Sequence, residues 1–309
     1  MKKILLCALA LVITSFAVYD NAGTSGMTFL KIDFSPKASA LGGACVGYSE
    51  GPNGLLSNPA AMNFSKDLSV STGFGSLYAG ITTGHLMAQK GFAFGKLGIA
   101  LKYLSYGTMD KTDDYGNIIG DFSSTDMALA LLFSREILDN LSFGIAPFVA
   151  SSSIDTFSAL AVAVDFGTQY KFDRGRGHLG LTVKNLGTQV SSYSEVKDTL
   201  ATGVLLGASY RLKGLPLYAL AQGDYYRDSG FSGGFGIELI QLKPLYIRAG
   251  YRIRPKVSGD LADGEDLNGI TAGFGIIYKG IYADYSFQHF GVLGFTHRFG
   301  FAYDGFASK

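Results

Sequence analysis

The chain has no tryptophan, only two cysteines, seven prolines and few charges. Charged residues make up 17% of its 309 residues, against about 25% in an ordinary soluble domain. Two cysteines exclude a disulfide-dense scaffold. The 26 basic and 25 acidic residues cancel, and no basic block stands out. That balance argues against a nucleic-acid surface. No segment offers about 20 consecutive apolar residues, so a helical membrane span is excluded. Disorder is excluded as well, because 47% of the chain is hydrophobic and the formal net charge is +1.

Glycine is abundant. Its 42 copies are roughly 14% of the chain, about twice the usual share. They follow no three-residue period, which excludes collagen. Ordinary strands and helices are poor in glycine, so this much of it serves a geometry. Phe and Tyr, 23 and 18 in number, supply all the aromatic rings.

The N-terminus reads as an export signal. Lys2 and Lys3 precede an apolar run from Ile4 to Val12, and Ser15 and Ala17 are the small residues around a cut after Ala17. Such a run is too short to cross the hydrocarbon layer as a helix. Removing residues 1–17 takes away Cys7 and leaves Cys45 alone, so no internal disulfide can form. Export without disulfides fits a bacterial envelope protein.

From Leu68 onward the dominant period is two, the signature of strands. In 159–171, Leu160, Val162, Val164, Phe166 and Tyr170 share one face, and Ala159, Ala161, Ala163, Asp165 and Gly167 share the other. Similar alternation runs through 245–252, 281–288 and 293–301. One face is bulky and apolar; the other is small or polar. A soluble sandwich needs many charges on its outer face. An outer-membrane barrel instead turns the apolar face to lipid and the small face to the lumen. Segments at 68–77, 80–92, 97–107, 123–134, 141–152, 158–172, 178–186, 200–212, 215–226, 230–241, 244–254, 267–279, 280–289 and 292–303 give about fourteen strands. An even number is what a single-chain bacterial barrel requires. The long connections, 108–122, 187–199 and 255–266, all follow odd-numbered strands and so share one end. The expected fold is therefore all-β, an antiparallel outer-membrane β-barrel spanning 67–309. Tyr103, Tyr170, Tyr210, Tyr251 and Phe299 are candidates for its interfacial girdles.

A barrel of this size with Gly and Ala inside stands open unless something fills it. Residues 18–66 lack the period of two and carry Phe29, Leu30, Ile32, Phe34, Leu41, Leu55 and Leu56. A tail has little use for so many apolar anchors, so the segment is expected to be an N-terminal lumen plug.

Three stretches here carry a family resemblance: Gly23-Thr24-Ser25-Gly26-Met27-Thr28-Phe29-Leu30-Lys31-Ile32, Lys37-Ala38-Ser39-Ala40-Leu41-Gly42-Gly43-Ala44 and Leu56-Ser57-Asn58-Pro59-Ala60-Ala61-Met62. With Lys184-Asn185-Leu186-Gly187, Ile247-Arg248-Ala249-Gly250-Tyr251 and Leu293-Gly294-Phe295-Thr296-His297-Arg298-Phe299, the chain resembles the PorV/PorQ family. That family is similar to the FadL-type transporters of hydrophobic compounds. The resemblance implies a fourteen-strand barrel with an N-terminal hatch. The chain departs from the pattern in being short for a fatty-acid transporter, and in carrying Glu50-Gly51-Pro52-Asn53 where the family has an acidic pair.

Two constellations are candidates for function. In Asn58-Pro59-Ala60, Pro59 biases Asn58 toward extended geometry, and the Asn58 side chain can bond nearby backbone. Such a turn either latches a hatch or caps a helix within a rigid plug. Gly42, Gly43 and Gly51 are candidate hinges or close-packing sites. The second constellation is the set of lumen-face ionisable residues: Lys102, Asp165, Lys184, Arg211, Asp224, Glu238, Arg248, Arg252, Asp284 and Arg298. Their mixed signs favour mutual pairing over the single-sign rings of a selective porin.

No metal-ligand spacing joins His85, His178, His289 and His297, and no nucleophile elbow is present. Neither an enzyme nor a cofactor is expected. The expected partners are outer-membrane lipid together with hydrophobic small molecules or, through the PorV/PorQ resemblance, proteins of a type IX secretion system. Passage of hydrophobic compounds is the leading expectation; docking or release of exported proteins is the alternative.

Overall fold

The computed structural model describes residues 23–48, 51–52, 55–253 and 268–305. The expected signal peptide, the connection 255–266, and Glu50 and Asn53 lie outside these residues. Fourteen strands close into one antiparallel barrel. They are β1 Leu68–Ser76, β2 Thr82–Phe92, β3 Gly95–Thr112, β4 Ile118–Leu138, β5 Leu141–Ile154, β6 Phe157–Phe172, β7 Gly177–Ser191, β8 Gly203–Arg211, β9 Leu217–Tyr226, β10 Gly230–Leu239, β11 Leu245–Ile253, β12 Ile270–Tyr278, β13 Ile281–His289 and β14 Phe295–Asp304. Closure is made by β14 on β1, with Gly300 opposite Gly73 and Asp304 opposite Ser69. Both ends of the barrel sequence meet here, where Gly305 N donates to Leu68 O at 2.7 Å. This is the terminal end; the opposite one is the loop end.

The alternation of the sequence becomes the two faces of the wall. On β14, Phe295, Phe299 and Phe301 point outward and are exposed, while Thr296 and Arg298 point inward and are buried. The same holds on β11, with Ile247 and Tyr251 outward and Arg248 inward. A wall apolar on its outer face suits hydrocarbon, and closure leaves no unpaired strand edge. Stacked rings lie outside, such as Phe92 on Phe94 at 5.5 Å and Phe172 on Tyr210 at 6.1 Å near the terminal end. Tyr225 against Phe231 at 4.8 Å lies near the loop end.

One expectation is overturned. Residues 108–122 do not form a long loop. β3 and β4 continue as a paired hairpin, with Met109 opposite Phe122 and Lys111 opposite Gly120, past a register shift between Ser105 and Thr108. Only 113–117 turn, and there Asp113 Oδ1 accepts from the backbone of Tyr115 and Asn117 at 2.9 and 2.8 Å. The Asn117 side chain, donating Nδ2 to Asp113 Oδ2 at 2.9 Å, and those backbone bonds hold the Asp113 carboxyl below its usual range. The apolar period fades in this stretch because a hairpin extending past the wall has no lipid face to maintain. Strand β7 likewise runs to Ser191, which shortens the connection expected at 187–199.

The described residues of 23–66 pack against the inner face of the wall. Ser25–Gly26 pair in parallel with Thr199–Leu200. A short helix, α1 (Pro36–Ala40), lies against β11 to β14, and a 3-10 turn, Pro59–Phe64, lies against β3 to β6. Both begin at a capping residue followed by Pro, the arrangement that favours a helix start. Ser35 Oγ accepts from Ala38 N at 3.4 Å, and Asn58 Oδ1 accepts from Ala60 N at 3.0 Å. The apolar core sits between this segment and the wall, not within the wall. Phe29, Leu30 and Phe34 meet Leu104, Phe148 and Ala161, and Leu55 and Met62 meet Met87, Ala100 and Leu132. Burial of these side chains stabilises each by about 1.5–3 kcal/mol.

Candidate functional site

Wall glycines let the segment's backbone approach. A Cβ on Gly234 or Gly180 would strike the carbonyl of Gly42 or Val46, and one on Gly144 would strike Pro59 and Ala60. Gly42 is itself held on both sides. Its φ is +65°, and a Cβ there would lie 2.6 Å from Tyr251 O and 2.7 Å from Phe235 O. Gly43, at φ +78°, stands against Arg252 and Asp33, and Gly51, at φ +76°, lies against the Tyr282 ring.

Asn58 is fully buried. Beyond capping Ala60, its Nδ2 donates to Val46 O at 3.0 Å and to Thr168 O at 3.1 Å. One side chain thus ties together both halves of the segment and β6. Pro59 and Ala60 sit in the seat that Gly144 and Gly167 leave in the wall.

The lumen charges divide into groups. Arg248 donates Nε to Glu238 Oε1 at 2.8 Å and Nη1 to Asp284. Two groups of the N-terminal segment join them: Lys37 lies 3.7 Å from Glu238, and the Tyr48 hydroxyl donates to the same carboxylate. Arg252 pairs with Asp224 at 2.5 Å, and Gln222 donates to Asp224 at 2.7 Å. Asp165 accepts from Asn185 N at 2.7 Å, Lys184 reaches Leu56 O at 3.4 Å, and Lys102 lies over the Phe34 ring at 5.6 Å. Arg298 donates Nη1 to the hydroxyls of Ser39 and Thr296 at 2.9 and 3.1 Å. Arg211 keeps the inward parity but is exposed at the end of β8, apart from the others. Lys31, Asp33, Lys37, Ser39 and Tyr48 were missed in the sequence. They belong to an irregular segment whose partners lie up to about 260 positions away, and no local spacing marks them.

Two cavities flank this network. A small polar one is lined by Asp33, Ser57, Lys102, Lys184, Gln222 and Arg252. The larger, of about 550 Å³, opens toward the loop end. Its apolar and aromatic walls are Phe29, Ile32, Leu77, Tyr78, Ile81, Leu104, Tyr106 and Phe290, and Thr28, Lys31, Asp33, Arg252, Gln288 and Arg298 are its polar residues. That size lies within the range of small-molecule sites, and its surface is shared about evenly between apolar and polar groups.

No family model matches the sequence, and no curated protein matches it. Solved structures do. A mutant of the monoaromatic hydrocarbon channel TodX superposes with a TM-score of 0.62 at 12% identity, covering 88% of this chain and 99% of that one. This chain shares the barrel fold of that structure. The Pseudomonas putida toluene transporter TodX gives 0.60 at 14% identity, over 86% of this chain and 95% of that one. The monoaromatic hydrocarbon channel CymD gives 0.61 at 10% identity, over 89% and 98%. A likeness at such identities is one of fold: a fourteen-strand barrel of the outer-membrane type.

Proposed function

We propose that the chain passes hydrophobic or amphiphilic small molecules across the outer membrane, as a FadL-like channel. The observation that carries this is the cavity of about 550 Å³ at the loop end, with aromatic and aliphatic side chains beside polar ones in its walls and the N-terminal segment beneath. A hydrophobic solute leaves water at the aromatic walls, where each ring buries a large apolar area. The segment 18–66 acts as the hatch beneath, with Asn58-Pro59-Ala60 its latch. Gly42 and Gly43 serve as fixed seats rather than hinges, since backbone or side chains fill the space where a Cβ would stand on each. The fold neighbours named for toluene and other monoaromatics set the first ligand to try. Cells expressing the protein in their outer membrane should take up radiolabelled toluene several times faster than cells with the empty membrane. Equal rates overturn the reading. Export by a cleavable signal places Val18 at the mature N-terminus, which sequencing of the membrane-extracted protein checks.

A second reading follows from the PorV/PorQ resemblance and from one further observation. The β3–β4 hairpin carries exposed Tyr115, Ile118 and Ile119 at the loop end. Apolar side chains standing in water fit a protein surface, here a client or component of a type IX secretion system. Crosslinking with mass spectrometry in native outer membrane tests it. Stoichiometric links from this hairpin to secretion proteins favour docking, and their absence removes it.

A further inference from the structure

Arg298 stands apart from the other lumen arginines. Arg248 has two carboxylates and Arg252 has one. Arg298 is 2% exposed, and among the described residues it meets the hydroxyls of Ser39 and Thr296 through Nη1 and leaves its buried Nε without a hydrogen-bond partner. A guanidinium does not lose its proton in a protein, so the charge stays. A buried cation without a carboxylate is costly, and buried orphaned donors are rare. This one lines the cavity of about 550 Å³, whose walls carry the rings of Phe29, Tyr78, Tyr106 and Phe290.

The other charges facing the cavity do not meet that need. Lys31 is bound to Asp228 at 2.6 Å and Arg252 to Asp224 at 2.5 Å. Asp33 also lines the cavity, but makes no ion pair with Arg298 among the described residues. A neutral hydrocarbon in this space leaves Nε of Arg298 orphaned. A carboxylate that meets the guanidinium from the cavity supplies the missing counter-charge, since the planar fork of a guanidinium matches two carboxylate oxygens.

We infer that the cavity selects compact aromatic carboxylates over neutral rings, with Arg298 holding the carboxylate and the aromatic walls holding the ring. The inference rests on the channel reading. Asp33 sets its sign, because a carboxylate beside the seat repels the ligand, so removing that charge strengthens binding.

Equilibrium dialysis of the full-length protein in detergent tests the seat, with radiolabelled benzoate and toluene as probes. Wild type should bind benzoate more tightly than toluene. Arg298→Gln should weaken benzoate binding at least about tenfold, the loss of a charge-assisted hydrogen bond, and leave toluene within about twofold. Arg298→Lys should fall between the two. Asp33→Asn, which leaves the wall intact, should tighten benzoate binding several-fold, so the seat stays testable should Arg298→Gln not fold. Benzoate binding that is indifferent to both substitutions overturns the inference. So does a parallel loss of toluene, because that reports damage to the cavity. If wild type binds toluene but shows no preference for benzoate, the seat fails while the channel reading stands. If it binds neither probe, the channel reading fails first.

Discussion

Arg248 and Glu238 stand directly opposite each other on β10 and β11, joined Nε to Oε1 at 2.8 Å, and both are buried. Arg248 also reaches across β12 to Asp284 on β13. Three wall charges and the segment's Lys37 and Tyr48 thus form one network across the seam between wall and hatch. Arg248→Met should destabilise the protein by about 3–5 kcal/mol, because it leaves two buried carboxylates without their guanidinium. The unfolding midpoint of the detergent-solubilised barrel, followed by its heat-dependent gel mobility, measures this. A loss below about 1 kcal/mol would show that the network is not what holds this seam.

Asn58 gives a second, independent hold. Asn58→Asp keeps the acceptor for Ala60 N but removes both Nδ2 donors, to Val46 O and Thr168 O. Asn58→Ala removes all three bonds. Both should cost about 1–3 kcal/mol, with the aspartate at least as harmful because it buries a charge. Were the aspartate variant to melt like wild type, capping would be the whole role of Asn58 and the latch would fail.

Much of the barrel was legible in the sequence. The outward Phe299 and inward Arg298 differ by one position, and a period of two is enough to separate them. Closure and strand number followed from repeating that pattern. Two things were not legible. The β3–β4 hairpin loses its apolar face where it leaves the wall, so Met109 to Thr112 carry no strand signal. The partners of the segment are nonlocal: Lys37 meets Glu238, and Ser39 meets Arg298. Sequence parity placed Arg211 with the network, but parity says nothing of height along the barrel, and Arg211 lies at the exposed rim.

The glycine seats predict how the segment comes loose. Gly234→Val places a branched side chain where the Gly42 carbonyl lies, and backbone cannot yield cheaply there. The stretch from Pro36 to Tyr48 should lift from the wall. Lys37, 3% exposed in the folded protein, then becomes a trypsin site. Mass spectrometry of brief digests should find cleavage after Lys37 in the variant and not in wild type. An uncut Lys37 in a folded variant would mean that the wall, not the segment, gives way.

Cys45 reports on the same seam. It is fully buried, and burial pushes its thiol from 9.0 up to about 12, because the thiolate cannot be solvated there. Iodoacetamide at pH 8 should leave the folded protein unlabelled at Cys45 and label it after denaturation. The same shift sets a pH dependence. Between pH 9 and 12 the unfolded thiol has lost its proton and the folded one keeps it. The folded state then binds more protons, and stability falls as pH rises through that window. Cys45→Ala should remove this part of the alkaline loss, at a cost in packing of about 1 kcal/mol at neutral pH. Denaturation midpoints of the two proteins, compared at pH 7.5 and pH 10.5, separate the effects. The advantage of wild type over the variant at pH 7.5 should be lost and reversed at pH 10.5, and a constant gap would mean the thiol ionises no differently when folded.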